Sequence, residues 1–112
     1  KFVITESIYT HSGKKRNLQF NINYFSKFKD KIEYIVVEDL PQSIEVLNKN
    51  DSLNQKNSKI LLNALRRENY QRNRLKDGLE KIDDNDLVII SDVDEIPNLS
   101  KFKYKYKFNF FI

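Results

Sequence analysis

The chain has 112 residues, of which 39% are hydrophobic and 32% charged, with two glycines and two prolines, a composition for one folded domain at most and not for a disordered linker. Its 20 basic and 16 acidic side chains leave a net charge of +4; this suits a protein that handles an anionic ligand or lies near an anionic membrane, and is too mild to argue for nucleic acid. The lack of cysteine excludes a disulfide framework and thiolate zinc sites, and no apolar run approaches the ~20 residues that span a bilayer.

Three short apolar runs read as strands. The first is "FVIT" at residues 2–5, the second "IEYIVV" at Ile32–Val37, and the third "LVIIS" at residues 87–91. The first and third are apolar on both faces, as strands covered on both sides of a parallel sheet are. Between the first two, "NLQFNINYFSKFKD" spaces Leu18, Ile22, Phe25 and Phe28 by four and three, which predicts a helix with one apolar stripe. Residues 38–57 form a long polar connection. A second helix is expected over residues 58–82, with Ser58 as its N-cap and residues 83–85 as the turn out. The order strand, helix, strand, helix, strand is that of a βαβαβ unit, so the expected fold is α/β, a Rossmann-like half domain with a mainly parallel sheet. The chain starts at Lys1 rather than Met and ends in the apolar "KFNFFI"; both ends are expected to be cuts through a longer protein, and residues 1–112 to be one incomplete domain.

In such sheets ligands bind beyond the carboxyl ends of the strands. All three runs lead into polar clusters there: Glu6, Ser7 and Thr10; Glu38 and Asp39; Ser91, Asp92, Asp94 and Glu95. Carboxylates crowded as in "SDVDEIP" repel unless a positive group sits among them. In an extended chain the D-x-D spacing sends Asp92 and Asp94 to one side and Val93 into the core. Two hard oxygen donors suit Mg²⁺ or Mn²⁺, completed by water and phosphate oxygens. The plainer reading is that the two aspartates cap a helix or pair with lysines.

On the long helix, Leu61, Leu65, Glu68, Arg72, Leu75, Leu79 and Ile82 share a face. Glu68 and Arg72 within that stripe are either an internal ion pair or a site at which Arg72, oriented by Glu68 with Gln71 alongside, meets an anion. Gly13 permits a turn that a side chain forbids, and Lys14, Lys15 and Arg16 beside it form either a phosphate cradle or a solvated basic turn. His11 is a loop residue. The tail "KFKYKYKF" at 101–108 alternates lysine with aromatics and reads as a half-buried strand, or else as a stacking platform for single-stranded nucleic acid. No hydrolase elbow, P-loop or dinucleotide fingerprint is present.

Four blocks taken together, "ESIYTHSGKKRNLQF", "KIEYIVVEDLP", "RRENYQRNRL" and "DDNDLVIISDVDEIP", resemble glycosyltransferase family 17, whose animal member adds the bisecting N-acetylglucosamine to N-glycans. The first block is similar to E-x-x-x-T-x-x-G-x-x-K-x-L-x-F through Glu6, Thr10, Gly13, Leu18 and Phe20, with Arg16 where lysine is usual. The third carries E-x-x-Q-R as Glu68, Gln71 and Arg72, and the last D-x-D-E-I-P as Asp92, Asp94, Glu95, Ile96 and Pro97.

The resemblance implies a GT-A type fold and an inverting transfer of a sugar, N-acetylglucosamine first among them, from a UDP-sugar donor to a glycan acceptor hydroxyl. It implies donor contacts at Glu6, Ser7, Thr10, Gly13, Arg16, Glu68, Gln71, Arg72 and Asp92, and Mn²⁺ or Mg²⁺ held by Asp92 and Asp94. Asp94 is the better candidate for direct metal contact, with Asp92 acting through ribose or water. The catalytic base is expected outside this chain. Nucleic acid is not an expected partner. Peripheral membrane association is compatible, with a place in the cytoplasm at the inner face of the membrane, or in the Golgi lumen for a eukaryotic protein. The rivals are an aspartate-based phosphoryl-transfer enzyme, which also follows a strand with D-x-D, and a non-catalytic binding or assembly module for nucleotide or nucleic acid.

Overall fold

The computed structural model describes residues 1–80, 82–98 and 100. The chain divides into two compact units, residues 1–80 and 81–112. The first is a small α/β unit. β1, Phe2–Ser7, and β2, Ile32–Val37, pair in parallel, with Phe2 opposite Ile32 and Ser7 opposite Val37. Both strands are built from β-branched and aromatic residues that pack well on a pleated surface.

The connection between the strands is a 3-10 helix, Ile22–Lys31, kinked at Phe25, not the α-helix that the stripe starting at Leu18 predicts. The cause is a distant carboxylate. Glu6 accepts hydrogen bonds from the backbone N–H groups of Gln19 (2.8 Å) and Phe20 (3.0 Å), which hold residues 17–20 out of helical conformation. The helix begins only after Asn21, whose side chain caps the N–H of Asn23 at 3.0 Å.

The long helix, α1, spans Leu53–Asn73; the expected start at Ser58 is corrected to a cap at Ser52. Ser52 and Gln55 form a reciprocal capping box, Gln55 N–H to Ser52 Oγ at 3.3 Å and Ser52 N–H to Gln55 Oε1 at 2.8 Å, which satisfies two orphan donors of the first turn. The helix tightens into a 3-10 segment, Arg74–Leu79, and so ends short of Ile82. Gly78 in this segment is buried. A Cβ there would lie 2.4 Å from Val3 Cγ1, so glycine is what lets the segment lie on β1.

The expected core stripe on α1 faces the other way. Leu61 and Leu65 are exposed, at 64% and 46%, while the side turned inward is polar. Among the described residues Val37 is the buried hydrophobic, and the other buried side chains are Glu6, Ser7 and Asn63. Hydrogen bonds do much of what an apolar interior ordinarily does.

The third expected strand is not one. Residues 87–91 have no strand assignment, and within the second unit's described residues no neighbouring strand supplies the ladder that a strand requires. The fold class is therefore α/β with a two-stranded parallel sheet. The aromatic and lysine tail expected at 101–108 lies outside the described residues.

Candidate functional site

The carboxyl end of β1 is organised around Glu6. This side chain is 7% exposed, and its carboxylate accepts from Gln19 N–H, Phe20 N–H and the Tyr34 hydroxyl, the last at 2.7 Å. Arg16 completes the set: its Nη2 is 3.4 Å from Glu6 Oε1 and its Nε donates to Ser7 O at 2.9 Å. Burial opposes ionisation of Glu6, but the two backbone hydrogen bonds, the Tyr34 hydroxyl and the Arg16 charge outweigh it and hold the carboxyl below its ordinary value. Burial and the bond to Glu6 push Tyr34 up to about 12. Charge-assisted bonds of this kind are worth about 1.5–3 kcal/mol each. Phe20, fixed by this bond, packs on Tyr34 with ring centroids 4.9 Å apart.

Past Ser7, whose Oγ accepts from Tyr9 N–H at 3.0 Å, the chain turns back in a small hairpin. Arg16 N–H donates to Ile8 O at 2.8 Å, Tyr9 bridges Lys15 in antiparallel fashion, and Thr10 N–H donates to Lys14 O at 2.8 Å. His11, Ser12 and Gly13 form the loop. Gly13 N–H donates to Thr10 O at 2.9 Å, and Gly13 sits at φ +87°, the left-handed residue that three-residue hairpin loops require. Thr10 Oγ1 accepts from Lys14 N–H at 3.1 Å and lies 2.9 Å from Ser12 Oγ.

Gly13 is constrained a second time. Arg67 of α1 donates from Nη1 to His11 O at 2.8 Å, and a Cβ at position 13 would lie 2.6 Å from Arg67 Nη2. Arg67 Nε is buried with no hydrogen-bond partner among the described residues. The hairpin is thus clamped to the helix by a residue that sequence reasoning passed over, although it stands in "RRENYQR".

α1 is fastened along its polar side. Gln71 Nε2 donates to Thr5 O at 3.2 Å, placing this residue beside β1. Tyr70 donates its hydroxyl to Asp39 in the segment after β2, and that bond holds the Asp39 carboxyl below its ordinary value. Asn63, 5% exposed, pairs both ends of its amide with the Glu45 backbone, Glu45 N–H to Oδ1 at 2.9 Å and Nδ2 to Glu45 O at 2.7 Å. Arg66 binds the Glu45 carboxylate at 2.7 Å, and Lys59 binds Asp51 at 2.8 Å. The signal for Asn63 was available: a residue of poor helix propensity interrupts "ILLNAL".

Glu68 and Arg72 pair at 3.3 Å, one turn apart, with side chains 40% and 45% exposed. Of the two readings left open, a buried internal bridge is therefore excluded. The structure brings Glu6, Ser7, Thr10, Gly13, Arg16 and Gln71 together around the end of β1, and puts Glu68 and Arg72 on the flanks of Gln71 along α1.

Asp92 and Asp94 belong to the second unit. There Glu95 N–H donates to Asp92 O at 3.0 Å, closing a turn over residues 92–95. Asp92 and Asp94 are exposed, and Val93 is 102% exposed rather than core-facing. The D-x-D spacing thus lies on a turn, not at a strand end. Among the described residues no group of three or more His, Cys, Asp or Glu side chains is placed to hold a metal. The donor set itself, two carboxylates, suits a Mg²⁺ or Mn²⁺ ion that draws its remaining oxygens from water and phosphate.

Comparison with curated proteins and with solved structures returned no match for either. The family model described as glycosyltransferase family 17 matches residues 1–106, a span that includes the β1 hairpin, the α1 polar face and the D-x-D turn, and the chain belongs to that family.

Proposed function

We propose that this chain forms the donor-binding part of a metal-dependent glycosyltransferase that moves a sugar, N-acetylglucosamine in the first instance, from a UDP-sugar to a glycan hydroxyl with inversion. The observation that carries the reading is the family match over residues 1–106; membership supports a transferase using a sugar donor and a glycan acceptor. The paired carboxylates of D-x-D-E-I-P supply the acidic group that such a donor site needs.

Asp94, and Asp92 directly or through ribose or water, would hold a divalent cation. When bound, that ion supplies positive charge against the diphosphate leaving group. The first unit has cations of its own. Arg72 offers a guanidinium whose orientation is fixed by Glu68, a geometry suited to a phosphate oxygen. The exposed ammonium groups of Lys14 and Lys15 beside the hairpin loop add positive charge to the first unit. Glu6 and Arg16, engaged with each other, fix the loop that carries those groups.

The test is thermal unfolding of the 112-residue chain with UDP and Mn²⁺. Ligand at about 100 times its Kd stabilises by about 2.7 kcal/mol. The expected result is a rise in Tm that requires both UDP and Mn²⁺, disappears with a chelator and is lost in Asp94→Asn. A Tm indifferent to the pair, or a full rise in Asp94→Asn, overturns the assignment.

A further inference from the structure

The 3-10 helix Ile22–Lys31 carries none of the groups used above. Its surface is unusual for a soluble connection: Tyr24 is 84% exposed, Phe28 52% and Phe25 44%. Phe25 keeps one face on Phe20, with centroids 5.5 Å apart and the rings nearly parallel, so the strip is held by the fold. Three residues per turn align positions i and i+3. Beyond the kink at Phe25, therefore, Phe28 and Lys31 fall in one row, with Lys27 in the row on one side and Lys29 in the row on the other. The three lysines are exposed and make no ion pair among the described residues, against one acid within the helix, Asp30, while Glu33 beyond it is paired with Lys1.

We infer that this helix is a membrane-interface element, which seats Tyr24, Phe25 and Phe28 at headgroup level on an anionic bilayer while Lys27, Lys29 and Lys31 meet lipid phosphates. Charge complementarity selects this occupant. A protein surface would have to compensate three flanking ammonium groups one by one, whereas an anionic leaflet neutralises them all and receives aromatic rings at the same depth. The net charge of +4 has the right sign. At 10 residues this helix is too short to cross a bilayer, so its contact is surface seating. It is independent of the donor chemistry at Asp92 and Asp94.

The experiment is sedimentation of the full chain with vesicles of phosphatidylcholine alone or mixed with phosphatidylglycerol, at low salt. Binding is expected only to the mixed vesicles and weakens as salt is added. A basic residue at an anionic surface is worth about fivefold in partitioning, so the Lys27→Gln, Lys29→Gln, Lys31→Gln triple variant should lose about a hundredfold. These lysines are exposed, so the variant keeps the helical circular dichroism of the parent. Phe28→Ser also lowers binding, while Leu61→Ser, on the exposed face of α1, leaves it unchanged. No binding to mixed vesicles, equal binding by the triple variant, or loss in Leu61→Ser equal to that in Phe28→Ser each overturns the inference.

Discussion

Gly13→Ala perturbs one atom and two interactions. An alanine at φ +87° costs about 1–2 kcal/mol for the left-handed backbone alone. Its Cβ would also fall 2.6 Å from Nη2, 2.8 Å from Cζ and 3.2 Å from Nε of Arg67, so the guanidinium must withdraw and give up His11 O. That bond is largely exposed and is worth about 1 kcal/mol after allowance for solvent. The single substitution should therefore cost about 2–3 kcal/mol, and only about 1–2 kcal/mol in an Arg67→Ala background, where nothing remains to be displaced. A coupling near 1 kcal/mol is measurable in a double-mutant cycle. Urea unfolding followed by the far-ultraviolet circular dichroism of α1 reads it, with tyrosine fluorescence as the check that one transition is observed. If Gly13→Ala costs the same with and without Arg67, the proximity of the two residues has no energetic content and the clamp described above is wrong.

Glu6→Gln should cost about 2–3 kcal/mol, because the amide turns a donor towards groups that already donate. Since Glu6 is held below its ordinary value of 4.5, its contribution is complete above that pH and is lost as pH falls through the lowered value; the acid limb of a stability profile should flatten in the variant. Tyr34 gives the opposite sign: its contribution is complete below 10.0 and lost as pH rises towards about 12. Asn63→Ala should cost about 2–3 kcal/mol and speed hydrogen exchange at Glu45 N–H, and unchanged exchange there would refute the pairing. Ser52→Ala should cost about 1 kcal/mol as a lost cap, whereas Ser58→Ala, inside the helix, should fall within about 0.5 kcal/mol of zero.

Elements fixed by local chemistry were legible in the sequence, and those fixed at a distance were not. β1 and β2 follow from short β-branched and aromatic runs, and their parallel pairing from the segment between them. The turn at Gly13 follows from glycine's tolerance of positive φ, although its three-residue length does not. Residues 17–20 carry a helical pattern, but Glu6, more than ten positions away, captures their N–H groups. Ser58 looked like a cap because it precedes the apolar run "KILL", yet the S-x-x-Q box begins six residues earlier at Ser52. The run at 87–91 has the composition of a strand, and composition does not supply a neighbour to pair with. In the candidate site, Thr10 was singled out by its place after β1, Gly13 by residue type, and Arg16 as part of a basic run. Arg67, Asn63 and Tyr34 were missed because their importance rests on the backbone groups they reach, Tyr34 excepted, which reaches a carboxylate.

The polar inner face of α1 has a thermal consequence for residues 1–80. Heat capacity of unfolding scales with the apolar surface that water gains, and here the interior held by Asn63, Glu6 and Ser7 releases little of it. The unit's free energy of folding should thus change slowly with temperature and respond weakly to urea per mole. Its tolerance of cold should be better than its modest size suggests, and its resistance to denaturant should depend on a handful of directed contacts rather than on bulk.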